Sequence, residues 1–235
     1  MTDSPLIVAL DHPDPDAALR CVERLGPAVG RYKVGSVLFT RAGPPLVRSL
    51  TTRGLGVFLD LKFHDTPATV AGAVASALDL GVELLTVHAS GGAAMIEAAR
   101  SAVDRAGAGV RLLAVTVLTS LGETELQRIA GPGSRSLAES VQAMARLALG
   151  AGAHGLVAAA GEVAALRADV GPEPLLVVPG IRPSWSVSDH GGQVRTATPT
   201  EALRAGASHL VVGRAVTQAP DPAAAVRRIQ TEIAA

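Results

Sequence analysis

Apolar runs of three to five residues recur along the chain, and most are followed by a longer amphipathic stretch. Leu6–Leu10, Arg31–Val34, Val57–Leu61, Leu84–Val87, Leu112–Val115, Gly155–Ala158, Leu175–Val178 and Leu210–Val212 are predicted strands. Their short apolar character suits parallel strands that are covered on both faces. Apolar positions at helical spacing predict helices over Pro15–Leu25, Pro44–Arg53, Ala68–Leu80, Ala93–Ala106, Ser136–Leu149, Glu162–Ala168, Pro199–Ala205 and Asp221–Ile233. Several open after a capping residue such as Asp14 and stop near Gly26, Gly54, Gly81 or Gly150, in keeping with helix start and stop chemistry.

Eight strand–helix pairs without a long linker predict an α/β fold, a (β/α)₈ TIM barrel forming a single domain over residues 1–235. An open doubly wound sheet would need a glycine-rich fingerprint after its first strand, and that strand runs instead into Asp11-His12-Pro13. In a barrel the chemistry gathers where the strands end on their C-terminal side.

Composition narrows the function. The chain has 21 basic and 21 acidic residues, so no net field favours nucleic acid or an anionic membrane. Five aromatic residues are too few for base-stacking platforms. No uncharged apolar stretch reaches the ~18 residues a membrane span needs. The start of the chain lacks the basic and apolar regions of a signal peptide, and the lone Cys21 suits a reducing compartment, so a cytoplasmic protein is expected.

Of the 21 basic residues, 19 are arginine and two are lysine, Lys33 and Lys62. An ammonium can give up a proton, whereas a guanidinium in a protein does not. Both lysines fall at strand ends. The third strand finishes in Asp60-Leu61-Lys62-Phe63-His64-Asp65, and residues two apart share a face, so Asp60 and Lys62 point together. Asp65 follows on the next loop, Lys33 ends the second strand, and Asp11 ends the first. A structural ion-pair network is the bland alternative, but desolvating such a cluster costs several kcal/mol unless its geometry is very good. In a chain that prefers arginine the cluster points to function.

The opposite arc differs. Pro179-Gly180-Ile181-Arg182-Pro183 follows the seventh strand, and Gly213-Arg214 follows the eighth. Loops after strands seven and eight form the usual phosphate site of such barrels. Glycine N–H groups with Arg182 and Arg214 predict that site here, against the plainer reading of turns with solvated arginines. The six histidines show no metal-ligand spacing.

The run Phe58–Pro67, with Ala9-Leu10-Asp11, Lys33-Val34-Gly35, Val87-His88-Ala89, Val115–Ser120, Pro179–Arg182 and Val212-Gly213-Arg214 in order, resembles the orotidine 5′-phosphate decarboxylase family over nearly the full length. The resemblance implies cofactor-free, metal-free decarboxylation of orotidine 5′-phosphate to uridine 5′-phosphate by a homodimer with shared sites. It implies that Lys33, Asp60, Lys62 and Asp65 form an alternating charge array, with Asp65 supplied by the other subunit. Lys62 would protonate C6 of the pyrimidine. Asp11 and Lys33 would meet the ribose, with Thr69 from the other subunit, and Thr66 stands where the family commonly has isoleucine beside the base. Thr119 and Ser120 would meet the pyrimidine edge, and Gly180, Arg182, Gln193, Gly213 and Arg214 would hold the phosphate.

Carboxylates flanking an ammonium favour its charged form, which suits proton donation rather than imine chemistry. Two other readings share the residues. One is a metal-dependent sugar-phosphate decarboxylase or epimerase on the same scaffold, which chelation would silence. The other is a phosphate-ligand binding protein without turnover.

Overall fold

The computed structural model describes residues 4–107, 109–131, 133–186 and 196–234. Its strands are β1 (Leu6–Ala9), β2 (Arg31–Gly35), β3 (Gly56–Phe63), β4 (Leu84–His88), β5 (Arg111–Val115), β6 (Gly155–Val157), β7 (Leu175–Val178) and β8 (His209–Val212). All neighbours pair in parallel, and the ring closes between β1 and β8 with Ile7 opposite Val211. Side chains alternate between two environments, as the pleat requires. Ile7, Ala9, Phe58, Leu84, Leu113, Val115, Val157, Val177 and Val211 fill the barrel interior. The intervening positions, Val8, Tyr32, Leu59, Leu85, Leu112 and Leu210 among them, pack outward against the helices.

The helices are α1 (Pro15–Leu25), α2 (Ser36–Thr51), α3 (Pro67–Leu78), α4 (Ala93–Ala106), α5 (Glu123–Ala130), α6 (Leu137–Gly150), α7 (Val163–Val170), α8 (Pro199–Arg204), α9 (Arg214–Thr217) and α10 (Pro222–Ala234). Asp14 caps α1 by accepting the Asp16 and Ala17 N–H groups, and Ser136 with Glu139 forms a capping box on α6. Among the described residues no helix is long and apolar enough to cross a membrane.

The expected barrel is present, with three differences in its helices. The backbone of α2 is non-helical at Gly43, so its second half starts at Pro44 as expected, while the turns from Ser36 to Ala42 were not foreseen. Neither α5 nor α9 was expected. Leu126 is the one buried residue of α5, which leaves too little apolar period to read.

Candidate active site

Inside the barrel the apolar filling stops short of the C-terminal rim, and a cavity of about 240 Å³ opens there. Its floor is Ala9, Phe58, Val115, Val157 and Val211, the upper members of the interior cluster. One wall carries Asp11, Lys33, Asp60 and Lys62 from β1, β2 and β3. The adjoining part of the rim carries Gly180, Arg182, Gly213 and Arg214 from the ends of β7 and β8, and Val117, Leu118 and Thr119 also line the opening.

Asp60 is the centre of the charged wall and is 8% exposed. Lys62 Nζ donates to its two carboxylate oxygens at 2.8 and 2.7 Å. The Thr86 hydroxyl donates to Oδ1 at 3.0 Å, and Lys33 Nζ stands 3.9 Å from Oδ2. Lys33 Nζ also donates to Asp11 Oδ1 at 2.9 Å. The order Asp11, Lys33, Asp60, Lys62 is thus a row of alternating charge, which satisfies the buried carboxylate on every side.

Backbone geometry sets this row. The β3–β4 register slips between Leu59 and Phe63, and Lys62 has φ 53°, the one non-glycine positive φ among the described residues. A bulge of this kind re-aims a side chain at a barrel rim. Gly35 leaves the room Lys33 needs, because a β-carbon there would lie 3.1 Å from Nζ. Gly180 turns the chain after β7 with φ 79°, a conformation that L-residues rarely adopt. Beyond it, the Arg182 N–H donates to Ala197 O at 2.9 Å, which ties together the two ends of the segment after β7.

His88 ends β4 on the same rim, with its ring 5.4 Å from that of His64. Burial pushes its imidazole below the usual range, with help from His64 and Lys62 and against the pull of Asp60. Trp185 lies under the Arg228 guanidinium of α10 at 4.6 Å.

The expected residues therefore divide. The cavity brings together Asp11, Lys33, Asp60, Lys62, Thr119, Gly180, Arg182, Gly213 and Arg214. Asp65, Thr66, Thr69 and Ser120 are exposed and lie off its lining. Asp65 accepts the Thr66 N–H, among the described residues no ion pair joins it to either lysine, and the Thr66 and Thr69 hydroxyls bond each other at 2.9 Å. Gln193 lies outside the described residues. Thr86 was missed, although its alternation with Leu84 and His88 placed a polar group on the inner face of β4.

Residues 4–229 match the family model described as Orotidine 5'-phosphate decarboxylase / HUMPS family. The chain belongs to that family. A relative from Chromohalobacter salexigens named Orotidine 5'-phosphate decarboxylase is 53% identical over 232 residues, 99% of this chain and 97% of its own. One of the same name from Moorella thermoacetica is 50% identical, covering 97% of this chain and 91% of its own. The crystal structure of Orotidine 5'-phosphate decarboxylase from Lactobacillus acidophilus superposes with a TM-score of 0.87 at 38% identity, covering 98% and 99% of the two chains. Of the four residues that the resemblance groups in a charge array, Lys33, Asp60 and Lys62 stand in this row and Asp65 lies outside it.

Proposed function

We propose that this chain is a lyase that decarboxylates orotidine 5′-phosphate to uridine 5′-phosphate and CO₂, the closing step of pyrimidine nucleotide synthesis. One observation carries the reading: a single cavity joins a row of alternating charge to a pair of arginine–glycine strand ends across an apolar floor. A nucleotide fits this division, with its phosphate at Arg182, Arg214, Gly180 and Gly213, and its ring over Phe58, Val115 and Val157. Charge-assisted bonds hold the phosphate. Asp11 and Lys33 reach the ribose, and Thr119 reaches the base edge.

Loss of CO₂ leaves an electron pair in an sp² orbital at C6, out of conjugation with the ring. The pair must be met by charge fixed in place before the bond breaks. The Lys62 ammonium, held by both oxygens of Asp60, supplies that charge and then transfers its proton to C6. The amine regains a proton from water. Asp60, beside the substrate carboxylate, raises the energy of the bound ground state relative to the transition state. Phosphate binding remote from C6 supplies energy for orientation and water exclusion. All steps use side chains and no cofactor.

The proposal extends to assembly. The chain acts as one barrel domain over residues 1–235, in the cytoplasm, as a homodimer that shares its sites. The exposure of Asp65, Thr66 and Thr69 beyond their own cavity supports their service to the neighbouring subunit. Asp65 would complete the row beside Lys62, Thr69 would reach the ribose and Thr66 would border the base. Ser120 and Gln193 are assigned to the base edge and the phosphate on the family resemblance alone.

The metal-dependent reading is not favoured, because Asp60, which it would use as a ligand, is already engaged by two ammonium groups and a hydroxyl. The deciding experiment is the loss of orotidine 5′-phosphate absorbance on adding purified protein in excess chelator. Full activity is expected; silence that divalent metal restores would overturn the cofactor-free assignment.

A further inference from the structure

We infer that Thr86 is a positioning residue for this reaction, holding Asp60 and the Lys62 backbone in their working geometry; the inference rests on the decarboxylase reading. Thr86 is fully buried, and with Asp60 and Thr116 it is one of three buried polar or charged residues among the described residues. Valine would fill the same space without the cost of burying a hydroxyl, so the hydroxyl calls for a role.

Its bonding is fixed in direction. The Lys62 N–H can only donate, so Thr86 Oγ1 accepts it at 2.9 Å and keeps its own proton for Asp60 Oδ1 at 3.0 Å. One side chain thereby grips the carboxylate and the peptide that carries the proton donor. The bulge explains why a side chain is needed. Leu59 pairs with Leu85 and Phe63 with Val87, four steps along β3 against two along β4. The Lys62 N–H has left the ladder, and the Thr86 hydroxyl stands in for the missing carbonyl. Lys62 also holds φ 53°, which a residue with a side chain keeps only where its surroundings enforce it. Without the hydroxyl, Asp60 gains freedom to rotate, and the Lys62 backbone can relax toward the strand region and swing the ammonium from its place over C6.

Thr86→Val keeps the shape and removes both bonds. Its kcat should fall on the order of a hundredfold, the scale of a misplaced catalytic group, while its affinity for uridine 5′-phosphate stays within about threefold of wild type. Thr86→Ser, which restores the hydroxyl, should recover turnover to within about fivefold. If the valine variant does not fold, Thr86→Ala against Thr86→Ser makes the same contrast, since both lack the methyl and differ only in the hydroxyl. An active wild type matched by Thr86→Val, or equal losses in the serine and alanine variants, would overturn the inference. A wild type with no turnover at all would instead sink the decarboxylase reading, and this inference with it.

Discussion

Replacing Lys62 by arginine separates the two duties assigned to it. Nζ lies 2.8 and 2.7 Å from the oxygens of Asp60, a pairing that a guanidinium can reproduce in bidentate form. The positive charge survives in Lys62→Arg, but arginine does not release a proton in a protein. General acid catalysis contributes about 10²- to 10⁴-fold. Lys62→Arg should therefore lose about three orders of magnitude in kcat, or about 4 kcal/mol of barrier. Lys62→Ala also removes the cation that faces the developing carbanion, a contact worth about another 10²- to 10³-fold. Its loss should reach about five orders of magnitude, or about 7 kcal/mol.

Stability should follow a different order. In Lys62→Ala the buried Asp60 keeps its Thr86 bond and Lys33 at 3.9 Å but loses its nearest cation. Breaking a buried pair costs about 3–5 kcal/mol. The Lys62 side chain is 32% exposed, and the water that reaches it lowers the cost to about 1–3 kcal/mol. For a chain of this length that is about 2–12 °C in Tm, whereas Lys62→Arg should melt within about 2 °C of wild type. The assay is loss of orotidine 5′-phosphate absorbance at saturating substrate, alongside uridine 5′-phosphate affinity and thermal melts. A Lys62→Arg variant with more than about a tenth of wild-type kcat would refute proton donation by this residue. Unchanged turnover in Lys62→Ala would remove it from the mechanism.

Three further predictions follow from other parts of the fold. His154 Nδ1 accepts the Leu112 N–H at 3.0 Å, and burial, with Arg100 and Arg111 nearby, holds its imidazole below the usual range, as burial does for His88. Near pH 6.5 the unfolded chain takes up protons that the native one refuses, so stability is complete above that value and declines as pH falls below it. His154→Asn, whose carbonyl can accept the same N–H, should flatten part of that slope in urea midpoints, and an unaltered slope would contradict the assignment. Arg214→Ala should weaken uridine 5′-phosphate binding about 10- to 100-fold, the worth of one charge-assisted bond, and leave uridine binding unchanged; equal losses for both ligands would place Arg214 away from the phosphate. Mixing Lys62→Ala and Asp65→Ala chains should recover about a quarter of wild-type turnover, the statistical share of intact sites in a two-fold dimer, and no recovery would refute sharing.

Sequence legibility tracks what each residue answers to. The strands could be read because their apolar residues face two cores, inner and outer, and the barrel follows from eight of them. Asp60 and Lys62 could be read because the period of two survives the bulge as a shared direction, although the left-handed Lys62 backbone could not. That conformation is imposed by the β4 register and the Thr86 hydroxyl, both of them tertiary. The sequence placed Asp11 only at the end of the first strand, whereas the fold makes it the first charge of the row at 2.9 Å from Lys33. Spacing alone had grouped Asp65 with the lysines, and the chain's own fold leaves it outside the cavity. In the turns Ser36–Ala42 the apolar residues run together as Val37-Leu38-Phe39, with Leu38 buried and Val37 67% exposed, so no helical spacing announced a helix there.

The rarity of lysine has a practical side. Only two side-chain amines exist among 235 residues, and both open on the same hollow. Lysine carrying ¹⁵N at Nζ would mark those two nitrogens and no other side chain, giving a pair of NMR reporters at the heart of the molecule.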